Sequence, residues 1–506
     1  MKINFVVPNK QGGAVNSGAG FFRNALWSLW GSILPLGVGL ATMPVLVSKL
    51  GIERFGILNL AWLLVGYFSL FDFGLGRALT RLVAEKLGSG LVEEIGDLTG
   101  TAIAVIRWFG VIAGTSVACM APWLVDWLSI SVALKEETLT SLWILSLALP
   151  FVLLSAGWRG VLEAYGRFDL VNWVRIPLGV ALFVAPLLSL LFADGLIPVM
   201  ISLAVTRIAG WWVSRRMCLR MCPDLSAGLR FKKTMVRPLV AFGGWMTISN
   251  VVGPLMVYAD RFLIGGLLSA VAVAYYATPY EIVTRLWIVS GALTGVLFPI
   301  VAARLVSDFG AVRLVYRYAM RSVFGLMLPA VAILYVFADE GLAWWLGGDF
   351  ARQGAGAARI LLVGVFINAL GQVSITVLHG AGRADWAAKL HLFELPFYLV
   401  ALVFAAERYG IEGVAIVWML RVLFDMIVMT VLAERLLLAR DGFVIQLIVA
   451  SICVMSLLWM VDFLESGWWR LGLLCLILLA CGIFLPGQLR QLGRAASRPV
   501  KNLQGQ

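Results

Sequence analysis

The chain has 506 residues, of which 61% are hydrophobic and only 13% charged, with a mean hydropathy of +0.93. A soluble domain carries about a quarter charged residues, so most of this surface must meet lipid, which excludes the common soluble enzyme classes. Forty Lys and Arg against 28 Asp and Glu leave +12, and in a membrane chain that excess speaks first to orientation, not to nucleic acid.

A bilayer core about 30 Å thick needs about 20 apolar residues per helix. Fourteen apolar runs meet that length in chain order: 24–48, 55–75, 100–123, 139–162, 172–192, 196–214, 238–264, 270–300, 320–342, 358–379, 391–406, 411–433, 443–463 and 469–486. The sixth carries Arg207, and the eleventh is interrupted by Glu394 and Pro396. The expected fold is therefore an all-α polytopic membrane protein. Its first 22 residues are polar and Gly-rich and run into a full-length span without a small-residue cleavage site, so no removable signal peptide is expected.

An even number of spans puts both termini on one side. With the N-terminus cytoplasmic, 25 of the basic residues fall in inside segments, 5 in outside loops and 10 within the spans as bounded. That asymmetry is a strong positive-inside signal. The inside segment between the sixth and seventh spans alone holds 7 of them.

The two halves of the chain share landmarks. Arg23 and Gly51 bracket the first span as Arg237 and Gly265 bracket the seventh, at an offset of 214. Gly166-Arg167 matches Gly382-Arg383, Gly195 matches Gly410, and Arg207 matches Arg421, at offsets of 214 to 216. Six spans per copy imply a parallel repeat about an axis along the membrane normal. The expected organisation is an N-terminal segment 1–23, an N-lobe 24–215, a basic linker 216–237, a C-lobe 238–435, two further helices within 436–486 and a tail 487–506.

Charges at mid-span are costly and tend to face water or one another, so they are the candidates for function. Arg285 follows Glu281, and Arg421 precedes Asp425, each at a four-residue spacing that places both on one helical face. Arg107 and Arg207 have no acid three or four residues away in their own helices. Together these six groups carry a net +2, suited to an anion, although cross-helix pairing that braces the bundle is an equal alternative for Arg285 and Arg421. Asp260 and Arg261 read either as a gate pair or as groups reaching for the outer interface. Asp72, followed by Arg77 and Arg81, reads as a cavity acid or as a carboxylate at a loop end. Arg159, Glu163 and Arg167 form a ladder at the inside end of the fourth span, as a solvated helix end would.

The chain contains no G-x-x-x-x-G-K-[ST] phosphate loop, so no ATPase is expected. His379 and His391 are remote from any Cys cluster, and Cys218 with Cys222 lacks a second pair; neither metal nor cofactor is expected. The outside loops leave no room for a catalytic domain, so the chain does not read as an enzyme.

The stretch Val47-Ser-Lys-Leu-Gly-Ile-Glu-Arg-Phe-Gly-Ile-Leu, with Tyr67-Phe-Ser-Leu-Phe-Asp-Phe-Gly-Leu-Gly-Arg-Ala-Leu-Thr-Arg81 after it, resembles the N-terminal signature of the polysaccharide transporter family. These are the Wzx-type flippases of the multidrug/oligosaccharidyl-lipid/polysaccharide exporter superfamily. Tyr258-Ala-Asp-Arg-Phe-Leu-Ile-Gly265, with Tyr275-Tyr276 and Pro279-Tyr280, is similar to that family's second-lobe opening. The resemblance implies two six-helix lobes around a cationic cavity and alternating-access transfer of undecaprenyl-pyrophosphate-linked oligosaccharide across the bacterial inner membrane. Arginine suits bidentate phosphate recognition, and Trp245, Tyr276 or Trp418 could take the sugar. Polymerases and glycosyltransferases of the same assembly line are the candidate protein partners. A lipid II flippase and a multidrug antiporter of the same superfamily are the alternatives; the antiporter would want acidic cavity walls, the opposite sign.

Overall fold

The computed structural model describes residues 18–70, 75–222, 228–237, 258–305 and 309–437, with scattered positions elsewhere. Asp72, Trp245, most of the seventh expected span, nearly all of the thirteenth and part of the fourteenth lie outside the described residues.

All regular structure among the described residues is helical. In the first half it comprises α1 (Gly18–Leu50), α2 (Ile52–Leu70), α3 (Leu75–Ser89), α4 (Glu93–Trp127), α5 (Val132–Ala164), α6 (Phe168–Ser189) and α7 (Leu196–Met221). After a helical stretch over 258–267 come α8 (Ala270–Val283), a 3₁₀ turn (Thr284–Leu286), α9 (Trp287–Arg304), α10 (Phe309–Val336), α11 (Ala338–Leu346), α12 (Gly348–Gly380) and α13 (Ala384–Leu436). Among the described residues, seven helices, with the reversed α13 taken as one, are long and apolar enough to cross a membrane.

Three features depart from simple spans. Helix α3 is amphipathic, with Arg81 and Glu85 exposed and Ala78, Leu79 and Val83 buried; too polar to span, it escapes a search for apolar runs. The expected eighth span is broken at Thr284–Leu286. Pro279 has no N–H to give its helix, and the Thr284 hydroxyl donates to the Tyr280 carbonyl at 2.8 Å, competing with the backbone ladder one turn later. The expected eleventh and twelfth spans are two helical legs, together labelled α13, joined by a reversal at Gly410, whose φ of 60° only glycine adopts at little cost.

The chain divides into two compact units. The first comprises residues 1–49, 72–118 and 143–244; the second comprises 50–71, 119–142 and 245–506. Within the first, α4 and α5 approach until their backbones touch: a Cβ on Gly110 would lie 2.7 Å from the Pro150 Cα, and one on Gly114 would lie 2.6 Å from the Ser146 carbonyl oxygen. Two glycines four apart on one helix face are the small-residue surface that lets membrane helices pack closely. At one end of this unit the basic segment docks on α4, where the Lys232 amide donates to the Thr101 hydroxyl at 2.9 Å and the Lys232 ammonium pairs with Asp97.

The second unit is built on the pairing of α12 with α13. The Trp418 ring fills the gap left by Gly364, where an added Cβ would meet the indole at 2.3 Å. Around it Leu361, Phe366, Val373 and Val422 are buried. Helix α8 lies against α2 through Gly56, whose absent side chain admits the Ala270 carbonyl.

Two of the three glycine pairs that match between the halves have left-handed backbones in both copies; in the third, Gly51 has φ of 76° whereas Gly265 lies within a helix. Gly166 and Gly382 have φ of 69° and 75°, and Gly195 and Gly410 have φ of 104° and 60°. Such left-handed positions end or reverse helices where a Cβ would be strained.

Candidate functional site

The reversal at Gly410 positions a cluster of ionisable groups. A straight helix rising 1.5 Å per residue would hold His391 and Asp425 about 50 Å apart; here the His391 Nε2 lies 3.3 Å from the Asp425 Oδ1. Arg421 faces across the same hairpin, donating from Nη2 to Asp425 Oδ2 at 2.8 Å, with its Nε 3.6 Å from Glu394 Oε2. Its guanidinium also stands 5.4 Å from the centre of the Tyr398 ring. The side chains of Arg421, Glu394 and Asp425 are 12%, 7% and 6% exposed. Two carboxylates therefore share one guanidinium in a nearly dry setting.

A second buried group lies in the same unit. The Asp260 Oδ1 accepts from the Arg261 amide at 2.8 Å and from Arg261 Nη1 at 3.2 Å, while its Oδ2 accepts from the Tyr276 hydroxyl at 2.8 Å. The Arg261 guanidinium lies over the Tyr280 ring at 3.8 Å, a cation–π contact strengthened by the absence of water. Tyr280 meets Trp418 edge to face at 5.4 Å. This ring contact carries the packing from the Asp260 group to the second leg of α13, on which Arg421 and Asp425 stand. Between the legs of α13 a cavity of about 330 Å³ is lined by Phe393, Phe397, Leu420 and Phe424, with Glu394 and Arg421 in its wall.

The sequence-derived candidates thus separate. Asp260, Arg261, Tyr276, Trp418, Arg421 and Asp425 come together within the second unit. Tyr276 and Trp418 are 0% and 2% exposed, so their rings pack the interior and offer no open face to a sugar, a correction to the reading of them as sugar contacts. Arg261 is turned inward and buried, not extended towards an interface. Arg285, on the 3₁₀ turn, pairs with Glu281 of α8 at 3.1 Å, both half-exposed.

The first unit is different. Arg107 is exposed on α4 beside the exposed Trp108. Arg207 is partly buried on α7, and its buried Nε has no hydrogen-bond partner. The charge that acts on it is another cation, Arg159, which itself sits 4.0 Å from Glu163. Arg159 is itself exposed and Glu163 half-exposed, as a solvated helix end would be.

Glu394, His391, Tyr398 and Tyr280 are functional candidates that the sequence reading did not select. The signal was present for one of them: Glu394 is the charge that interrupts the eleventh run, and charges inside apolar runs are rarely idle. His391 precedes it by three residues, on the same helical face.

The family model described as polysaccharide biosynthesis protein matches residues 21–304. The chain is 27% identical over 415 residues to a putative O-antigen transporter of Shigella flexneri, covering 82% of this chain and 98% of that one. It is 23% identical over 406 residues to the lipopolysaccharide biosynthesis protein WzxC of Escherichia coli (strain K12), covering 78% and 77% of the two chains. Among solved structures, the lipid II flippase MurJ in an inward closed conformation superposes with a TM-score of 0.69 at 14% identity, over 93% of this chain and 99% of that one. An inward-facing multidrug resistance MATE family transporter of the MOP superfamily gives a TM-score of 0.66 at 14% identity, over 82% and 98%. At such identities the structures establish the fold. With more than half of its length matched by the family model, this polytopic helical chain belongs to the polysaccharide biosynthesis protein family.

Proposed function

We propose that the chain is a flippase that carries an undecaprenyl-pyrophosphate-linked oligosaccharide across the bacterial inner membrane for surface polysaccharide synthesis, by alternating access and without enzymatic chemistry. The observation that carries this reading is the match to the O-antigen transporter over 98% of that protein's length. The first unit supports it chemically: Arg207, with its free Nε and the charge of Arg159 acting on it, offers a phosphate group a cationic seat. A guanidinium without a carboxylate partner has donors to spare for a phosphate. The basic excess in the inside segments supports cytoplasmic termini, and the duplicated landmarks support an N-lobe and a C-lobe.

Deletion in the native host is expected to accumulate lipid-linked oligosaccharide on the inner face of the membrane, and restoring the chain is expected to clear it. Purified chain in liposomes should move the same lipid to the opposite leaflet. Normal surface polysaccharide after deletion, or rescue of a strain lacking its lipid II flippase, would count against this substrate.

A further inference from the structure

We infer that Glu394 and Asp425 form a proton-binding site in the second unit, with His391 as its connection to solvent, and that this site couples transport to a proton gradient. The charge balance points there first. Arg421 can neutralise one of the two carboxylates it touches, at 2.8 and 3.6 Å, which leaves one negative charge in excess. The adjacent Asp260 is already matched by Arg261 at 3.2 Å. An uncompensated charge in a nearly dry site is strongly disfavoured, and a bound proton removes it.

Hydrogen bonding points the same way. Both Glu394 carboxyl oxygens and the Asp425 Oδ1 are buried without a hydrogen bond of normal geometry, yet the two carboxyls are close enough to interact directly. A proton on Glu394 turns one of these orphaned acceptors into a donor facing the other carboxylate. The remaining ionisable neighbours are Tyr398 and His391 on the first leg of α13, His379 at the end of α12, and Tyr276 and Tyr280 on α8. None of these brings a further positive charge unless a histidine is protonated. His391 is 27% exposed and its Nε2 is 3.3 Å from Asp425, so it can take a proton from water and pass it to the buried pair. A metal cation fits less well: the Arg421 guanidinium already approaches both carboxylates, and among the described residues there is no group of three ligands that could hold one.

The proton site stands on this geometry; only its coupling to transport rests on the flippase reading. The full chain in lipid vesicles, without any cargo, would be examined by pH-difference infrared spectroscopy. A protonated-carboxyl band is expected, lost in Glu394→Gln, retained but shifted in Glu394→Asp, and altered in its pH profile by His391→Gln. In proteoliposomes, an imposed pH gradient should accelerate transfer of the lipid-linked oligosaccharide by the wild type and not by Glu394→Gln. A band unchanged in both Glu394→Gln and Asp425→Asn would overturn the site, and so would equal acceleration by a sodium gradient at constant pH. Expected infrared behaviour with no movement of the lipid-linked oligosaccharide would sink the flippase reading and leave the proton site intact.

Discussion

Arg207 and Arg421 occupy matching places in the two halves of the chain, 214 residues apart, and their surroundings are opposite. Arg421 is bound to Asp425 and near Glu394, with His391 completing the group. Arg207 has a buried, partnerless Nε and a second arginine for company. Depth in the membrane therefore says little about the use of an arginine; the acids around it say more. A guanidinium held by two carboxylates has little capacity left for an anionic ligand, while one with a buried donor to spare keeps that capacity.

This contrast can be broken at either end. The largest effect is expected from Arg421→Ala, which strips the only arginine from between two buried carboxylates and should destabilise the protein by about 3–5 kcal/mol. Thermal unfolding in detergent would register this, and adding Glu394→Gln should recover part of the loss; an Arg421→Ala protein as stable as wild type would refute the structural reading of that residue. Arg207→Ala should behave in the opposite sense. Its stability should be unchanged or slightly higher, because a desolvated cation beside another cation is removed, while transport in reconstituted vesicles should fall roughly 10- to 100-fold, the equivalent of one charge-assisted hydrogen bond of about 1.5–3 kcal/mol. Unimpaired transport by Arg207→Ala would dissolve the proposed phosphate seat. The smallest effect belongs to Arg285→Ala. Its pair with Glu281 is half-exposed, so stability should change by less than about 1 kcal/mol, and transport should stay close to wild type; a severe transport defect would return Arg285 to the list of substrate contacts.

The fold was legible because its causes are local. Apolar runs of membrane-spanning length and glycines with left-handed backbone are written residue by residue, and so α4 to α7, α12 and both legs of α13 lie where the hydropathy places them. Helix α3 was hidden because half its surface is polar, and the break at Thr284–Leu286 because one hydroxyl competing for one carbonyl leaves no trace in an average over many residues. For the site, the four-residue pairs Glu281 with Arg285 and Arg421 with Asp425 were readable from helical spacing. The Glu394 and His391 contributions were not, since they reach Arg421 and Asp425 only after the chain reverses at Gly410. Tyr276 and Trp418 show the converse difficulty: aromatic character suits both a sugar platform and a packed core, and only burial distinguishes them.

The reversal at Gly410 also constrains motion. With a single residue joining the two legs of α13 and no loop to lend slack, neither leg can slide along the other by even one helical rise, about 1.5 Å, without disturbing the contacts among His391, Glu394, Arg421 and Asp425. Sliding of one leg along the other is therefore the motion this hairpin resists most. What a cycle can change is the medium at its flanks, wet at one stage and dry at another, and a carboxyl pair of fixed internal geometry would then gain or lose its proton according to which side has opened.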